Sequence, residues 1–219
     1  MRRGRRLGAG ADRKFEGEEG RIVKTVVIAS NNAHKAQEIA HALPFPGWEF
    51  KTLREMGVSS DPVEDAETFE GNARIKARAA QQACPGCAVI ADDSGLEVDA
   101  LGGAPGVHSA RYAGEPSDDA RNNAKLLAEL SGVPDGQRTA RFVCTLVYCD
   151  EQGAETVARG TIEGRIGHEE RGAEGFGYDP LFYPDVLDGL SLAEVDAARK
   201  NAISHRGNAL RALKELIGA

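Results

Sequence analysis

Four short stretches carry residue types whose spacing suits chemistry on a bound anion. The first is Ser30-Asn31-Asn32-Ala33-His34-Lys35, a polar turn between the apolar run Val26 to Ala29 and a segment of helical period. A helix start offers free backbone N–H groups and a positive dipole end, and so binds phosphate. Acids suit that end better than a lysine does. Lys35 is therefore either a point charge for a phosphate or a solvated lysine carrying a small dipole penalty. The sequence contains no G-x-x-x-x-G-K-[ST] loop.

The second stretch is Asp92-Asp93-Ser94-Gly95, directly after the apolar run Ala88 to Ala91. Ligands of open α/β sheets bind at strand ends, and hard carboxylate oxygens suit Mg²⁺ beside substrate phosphates and waters. Neighbouring residues point different ways, so one acid meets the metal while the other packs or caps. The alternative is an Asp-rich turn. The third stretch, Lys200 to Gly207, sets Lys200, His205 and Arg206 before the last helix. Arg206 suits bidentate binding of a phosphate or a base carbonyl, and His205 suits base stacking; a helix start with surface charges is the alternative. In the fourth, Phe176-Gly177-Tyr178-Asp179, a glycine-rich loop lets backbone approach a ligand and presents a ring to a base, or else Phe176 plugs the core. The histidines His34, His41, His108, His168 and His205 show no metal-ligand spacing.

The elements that must position these residues follow from periodicity. Val26 to Ala29 reads as a buried strand. The helix after it has the stripe Ala36, Ile39, Ala40 and Leu43, and Pro44 and Pro46 punctuate the loop that follows. Thr68 caps a second helix with the stripe Phe69, Ala73, Ala77, Ala80 and Cys84, on which Asn72 and Lys76 share a face. Residues 88–91 form a strand ended by 92–95, and Leu96, Val98 and Ala100 alternate in a further strand. Residues 117–130 form a helix with Ala120, Ala124, Leu127 and Leu130 inward. Residues 138–150 and 155–167 form a hairpin, and Ser191 with Glu194 forms a capping box. The last helix packs through Leu210, Leu213 and Leu216 or Ile217. The hairpin argues against an all-parallel sheet, so the fold class is mixed α/β with a cleft.

Composition bounds the function. The chain has 219 residues, 41% apolar and 28% charged, with net charge −7. Residues 1–24 hold eight Lys/Arg and four Asp/Glu, a surplus of +4, so the remainder carries about −11. So acidic a body is a poor partner for nucleic acid, and no apolar run is long enough to span a membrane. The basic, Gly-rich residues 1–22 lack the apolar core of a secretory signal and read as a disordered extension. Cys84-Pro-Gly-Cys87 is a single C-x-x-C between a helix and a strand, a turn rather than a zinc site, with a redox role the lesser alternative. Cys144 lies in an apolar run and reads as core. Reduced thiols in a cytoplasmic setting are expected.

The order of the motifs adds what none shows alone. "ASNNAHKAQEI", "TFEGNARIKARAA", "VIADDSGLEVDALGGAPGVHSARYAG", "FGYDPLF" and "KNAISHRGNAL" resemble the inosine/xanthosine triphosphate pyrophosphatase family over about residues 24–217. The resemblance implies an α/β fold with a mixed, elongated central sheet flanked by helices, in two lobes with a deep cleft. It implies one domain over 23–219, a homodimer, and Mg²⁺-dependent hydrolysis of ITP, XTP, dITP and dXTP to the monophosphate and pyrophosphate, which cleanses the nucleotide pool. By the same resemblance, Ser30, Asn31, Asn32, Ala33, His34 and Lys35 match the phosphate-binding stretch. Asp93 matches the acid that holds Mg²⁺ and accepts a proton, and Ser94 matches a substrate contact. Phe176, Gly177, Tyr178 and Asp179 match the base-side loop; Lys200, His205 and Arg206 match the remaining substrate contacts. Glu64 falls where the family has a metal-supporting acid, although "VEDAET" departs from the usual Glu-Thr-Gly and Gly71 stands where an acid is frequent. Two other readings are a nucleotide-binding module without catalysis and a related hydrolase for modified pyrimidines or dTTP.

Overall fold

A computed structural model describes residues 23–41 and 45–218. The expected disordered extension, together with Leu43 and Pro44, lies outside the described residues. The strands are β1 (Lys24–Ala29), β2 (Trp48–Thr52), β3 (Ala88–Val98), β4 (Thr139–Cys149), β5 (Glu155–Ile166) and β6 (Phe182–Pro184). They form one sheet in the order β2-β1-β3-β4-β5-β6. β1 pairs in parallel with β2 and β3, while β3 to β6 pair antiparallel. The helices are α1 (Ala33–His41), α2 (Phe69–Ala83), α3 (Asp119–Glu129), α4 (Ala197–Ile203) and α5 (His205–Ile217). The class is the mixed α/β sheet flanked by helices that the sequence predicts.

Strand alternation sorts the core onto two faces. Val26, Ile28 and Ile90 pack with Ala36 and Ile39 of α1 and Leu210 and Leu213 of α5. Val27, Ala29, Val89 and Ala91 face the α2 stripe Ala73, Ala77 and Ala80 instead. A third cluster fills the far end of the hairpin, where Leu96, Phe142 and Ile162 meet Leu126 and Leu181. Thr68 caps α2 by accepting from the Gly71 N–H. Cys84-Pro-Gly-Cys87 is a turn, and all four cysteines are free. No helix among the described residues is long and apolar enough to cross a membrane.

Two local expectations are corrected, and two are made more specific. β3 does not stop at Asp92: it runs unbroken through Asp92-Asp93-Ser94-Gly95, because the antiparallel ladder with β4 continues from Val89 to Val98 while the parallel ladder with β1 ends at Ala91. Ala100 lies beyond it, in a short 3₁₀ turn. On α3 the buried residues are Asn122, Asn123 and Leu126, with Leu130 just past the end; Ala120 and Ala124 are exposed. That helix buries amides because they bond to loops: the Asn122 Oδ1 accepts from the Ala113 N–H at 2.7 Å. Lys200 stands ahead of the last helix as read, within a further short helix, α4. On α5 the alternative left open at the end of the stripe falls to Ile217, which packs on the core, while Leu216 is exposed.

Gly160 sets the depth at which α5 lies on the sheet. A Cβ there would sit 2.3 Å from both the His205 carbonyl oxygen and the Ala209 nitrogen. Gly160→Ala must therefore push away the start of α5, with an expected loss of about 1–3 kcal/mol. Chemical denaturation reads this directly. Unchanged stability would mean that α5 is not held at that depth.

Candidate functional site

The sheet itself selects the location. With β2 and β3 on opposite sides of β1, the strand order reverses at the carboxyl end of β1, beside the middle of β3, and open α/β sheets bind ligands at such a switch point. Ser30 to Lys35 leave β1 at that point. Asp92 and Asp93 occupy β3 immediately beyond the last residue paired with β1. α1 begins there: the Asn32 Oδ1 accepts from the Lys35 N–H at 3.1 Å, and the Ser30 Oγ accepts from the Asn32 N–H at 3.2 Å. Asn31 turns toward the neighbouring loop, its amide 3.2 Å from the Ser60 carbonyl oxygen. Ala33 and His34 are exposed in the first turn.

The two acids divide as alternation on a strand demands. Asp92 is 1% exposed and fully partnered. Its Oδ1 lies 2.8 Å from the Lys35 Nζ and accepts from the Ser94 Oγ at 3.0 Å; its Oδ2 accepts from the Arg206 Nε at 3.0 Å and the Cys144 thiol at 2.9 Å. Burial alone would raise this carboxyl, but the Arg206 and Lys35 charges outweigh it and hold the group well below the usual carboxylate range. Asp93 points the other way. Its Oδ1 accepts from the Lys76 Nζ at 2.8 Å, while its buried Oδ2 has no hydrogen-bond partner. Burial raises the Asp93 carboxyl despite the opposing charges of Lys76 and Lys35. Glu64 lies 2.8 Å from the same Lys76 ammonium.

Behind Asp92 the charges continue inward. Arg206, 1% exposed, also bonds Glu38 of α1 and donates to the Ser94 Oγ at 2.9 Å. The Lys200 Nζ lies 2.8 Å from Glu38 and 2.7 Å from Asp179. Burial would lower the Lys200 ammonium; the Asp179 and Glu38 charges outweigh it and raise it. Phe176 is half-buried, stacked on His34 at 5.3 Å, with the Lys200 ammonium 4.6 Å from its ring centre. Tyr178 is buried, donating from its hydroxyl to the Ser109 carbonyl at 2.8 Å. His205 is buried, stacked on Phe142 at 4.9 Å, and its Nδ1 has no hydrogen-bond partner. Burial and the neighbouring Arg206 push its imidazole well below the usual range, so it is neutral.

Lys35, Asp179, Lys200, Arg206 and the two acids thus lie along one run of alternating charges, with Phe176 over Lys200, whereas His205 and Tyr178 are buried against Phe142 and Ser109. Sequence reasoning left out Glu38, Lys76 and Cys144 as site members. Glu38 had a signal, since it follows Lys35 by three residues on α1 and shares its face. Cys144 had none, because its role depends on its register opposite Ser94 on β3. Among the described residues no three or more His, Cys, Asp or Glu side chains are grouped to hold a metal.

A mixed α/β protein with charged groups at the switch point of its sheet is the class that fold and site define. Within that class the chain belongs to the Ham1 family, whose model matches residues 26–216. A protein of Desulforamulus reducens named dITP/XTP pyrophosphatase is 48% identical over 193 residues, covering 88% of this chain and 94% of that protein. One of the same name from Geobacillus kaustophilus is 50% identical, with the same coverage of each chain. The solved structure of the Staphylococcus aureus Ham1 protein is 41% identical, with a TM-score of 0.79, covering 89% of this chain and 98% of that one.

The depressed imidazole of His205 has a consequence for stability. In the unfolded chain a histidine takes up a proton as pH falls through about 6.5, whereas the buried ring resists it until lower pH. The unfolded state then binds more protons, so His205 contributes stability above that window that is lost as pH falls. Wild type is expected to lose more melting temperature between about pH 7.5 and 5.5 than His205→Asn does. Equal slopes would mean that the folded protein protonates His205 in that range.

Proposed function

We propose that the chain hydrolyses deaminated purine nucleoside triphosphates, namely ITP, XTP and their deoxy forms, to the monophosphate and pyrophosphate. The observation that carries this reading is the contrast between the two neighbouring acids. Asp92 is spent on four partners, whereas Asp93 keeps one buried oxygen without a partner, beside Lys76. The relatives' printed names, dITP/XTP pyrophosphatase, supply the substrate class. The homodimer and the single domain over 23–219 rest on the family resemblance, and the cytoplasmic setting on the free thiols and the absence of a signal pattern in residues 1–22.

In this reading Lys35 and the free N–H groups at the start of α1 receive the phosphates. The Asp93 carboxylate accepts the proton of the attacking water, because it is not fully committed to other partners. Asp92 cannot do so, because its oxygens are occupied and its proton affinity is low; it holds Lys35 and Arg206 in place. The residues fit a Mg²⁺ ion: the orphaned Asp93 oxygen and Glu64 supply the one or two carboxylates such a site takes. When bound, Mg²⁺ neutralises and polarises the triphosphate oxygens. On the base side, Phe176 offers an aromatic ring, and by the family resemblance Ser94, Asp179, Lys200, His205 and Arg206 are the remaining substrate contacts. Donors facing the 6-position accept a keto base, whereas the adenine amino group leaves them unpaired, at about 1–3 kcal/mol per buried group.

Pyrophosphate release from ITP, XTP, dITP, GTP, ATP and dTTP, with and without Mg²⁺, tests this. Fast, metal-dependent release confined to ITP, XTP and dITP is expected. Asp93→Asn, folded by circular dichroism, should lose about 10²-fold or more in turnover. Full activity of that variant would remove Asp93 from the reaction, and no release from any substrate would leave a binding module.

A further inference from the structure

The loop that carries Phe176 is held at Phe176 by Asp179, whose Oδ2 accepts from the Phe176 N–H at 2.9 Å, and at Gly177 by one helix. Gly177 has a left-handed backbone, φ 61°, at the tip of the loop. Its N–H donates to the Asp119 Oδ2 at 2.7 Å, and its carbonyl accepts from the Asn123 Nδ2 at 3.2 Å. Asp119 and Asn123 are four residues apart on α3 and share a face. Both polar groups of one loop residue are thus held by consecutive turns of a single helix. The Asn123 amide also donates to the Glu170 Oε1 at 2.9 Å, at the start of the same loop. Asn123 is buried, yet its Oδ1 has no partner, so its burial is set by the two bonds its amide nitrogen makes.

The consequence falls on the neighbouring residue. Phe176 is one peptide away from this clamp, and its ring meets His34 of α1 and the Lys200 ammonium of α4. Loop backbone without such bonds opens at little cost. A misplacement of about 1 Å in a positioning group is felt in binding and rate. We propose that Asp119 and Asn123 are positioning residues that set the height of the Phe176 platform, and with it affinity and selectivity for the purine base. They act through Gly177 and touch no substrate. The statement about the base rests on the function proposed above; the clamp itself does not.

Isosteric exchanges separate hydrogen bonding from packing. Asp119→Asn keeps an oxygen that accepts from the Gly177 N–H, whereas Asp119→Ala removes it. Asn123→Asp places a carboxylate against the Gly177 carbonyl oxygen. Asp119→Ala and Asn123→Asp are expected to speed amide hydrogen exchange in the peptide containing Gly177. They should also raise KM for ITP about tenfold, as loss of one hydrogen bond implies, with kcat within about twofold and a narrower gap between ITP and GTP. Asp119→Asn should stay near wild type in every readout. Unchanged exchange in Asp119→Ala and Asn123→Asp would overturn the clamp. A fall in kcat at constant KM, or Asp119→Asn matching Asp119→Ala, would overturn the positioning role. Should wild type release no pyrophosphate from any nucleotide, the functional reading fails while hydrogen exchange still decides the clamp.

Discussion

The ion pair between Asp92 and Arg206 is the interaction on which the rest depends. Both side chains are essentially out of water, at 0% and 1% exposure. Burying such a pair costs several kcal/mol per ion, and the attraction repays it only when the remaining donors and acceptors are satisfied. Here they are satisfied by Lys35, Ser94 and Cys144 around the carboxylate and by Glu38 and Ser94 around the guanidinium. Together the partners come from four parts of the fold: α1, β3, β4 and α5. Removing one ion while leaving the other buried costs about 3–5 kcal/mol, so the pair locks these elements to one another as well as shaping the site.

From that pair the charges alternate outward in two directions. Toward the base-side loop they run Glu38, Lys200, Asp179; toward the turn after β1 they run Lys35, then Asp93, Lys76 and Glu64. Exposure rises toward the second end, from the buried Asp92 to Glu64 at 34%. The acidic body thus keeps its ammonium groups where carboxylates hold them in position. A polyanion entering at the open end meets cations already oriented, which lowers the reorganisation that binding requires. The fully committed acid and the half-committed one sit next to each other because a strand turns successive side chains to opposite sides.

Much of this was legible in the sequence, for reasons that are local. The α2 stripe, the Thr68 cap, the β4–β5 hairpin and the capping box at Ser191 are set by period and by short-range hydrogen bonds, and each appears as read. The phosphate-type turn before Lys35 was equally local. What could not be read depended on partners distant in sequence. Asp92-Asp93-Ser94-Gly95 looks like a strand end, and only the ladder with β4 keeps it extended. The inward face of α3 looks like its alanines, and only the loops it holds make Asn122 and Asn123 the buried residues. Glu38 resembles an ordinary surface acid until Lys200 and Arg206, more than 160 positions away, are placed against it.

The central claim is that the triphosphate lies at the turn after β1, between Lys35 and the Asp93–Glu64 side, with its base against Phe176. A crystal structure of Asp93→Asn with ITP and Mg²⁺ tests it most directly. The account predicts phosphate density within hydrogen-bond reach of Lys35 and the first N–H groups of α1, and the purine stacked on Phe176. The nucleotide lodged instead in the groove between α1 and β2, lined by Ala36, Ala40, Trp48 and Phe50, would contradict it.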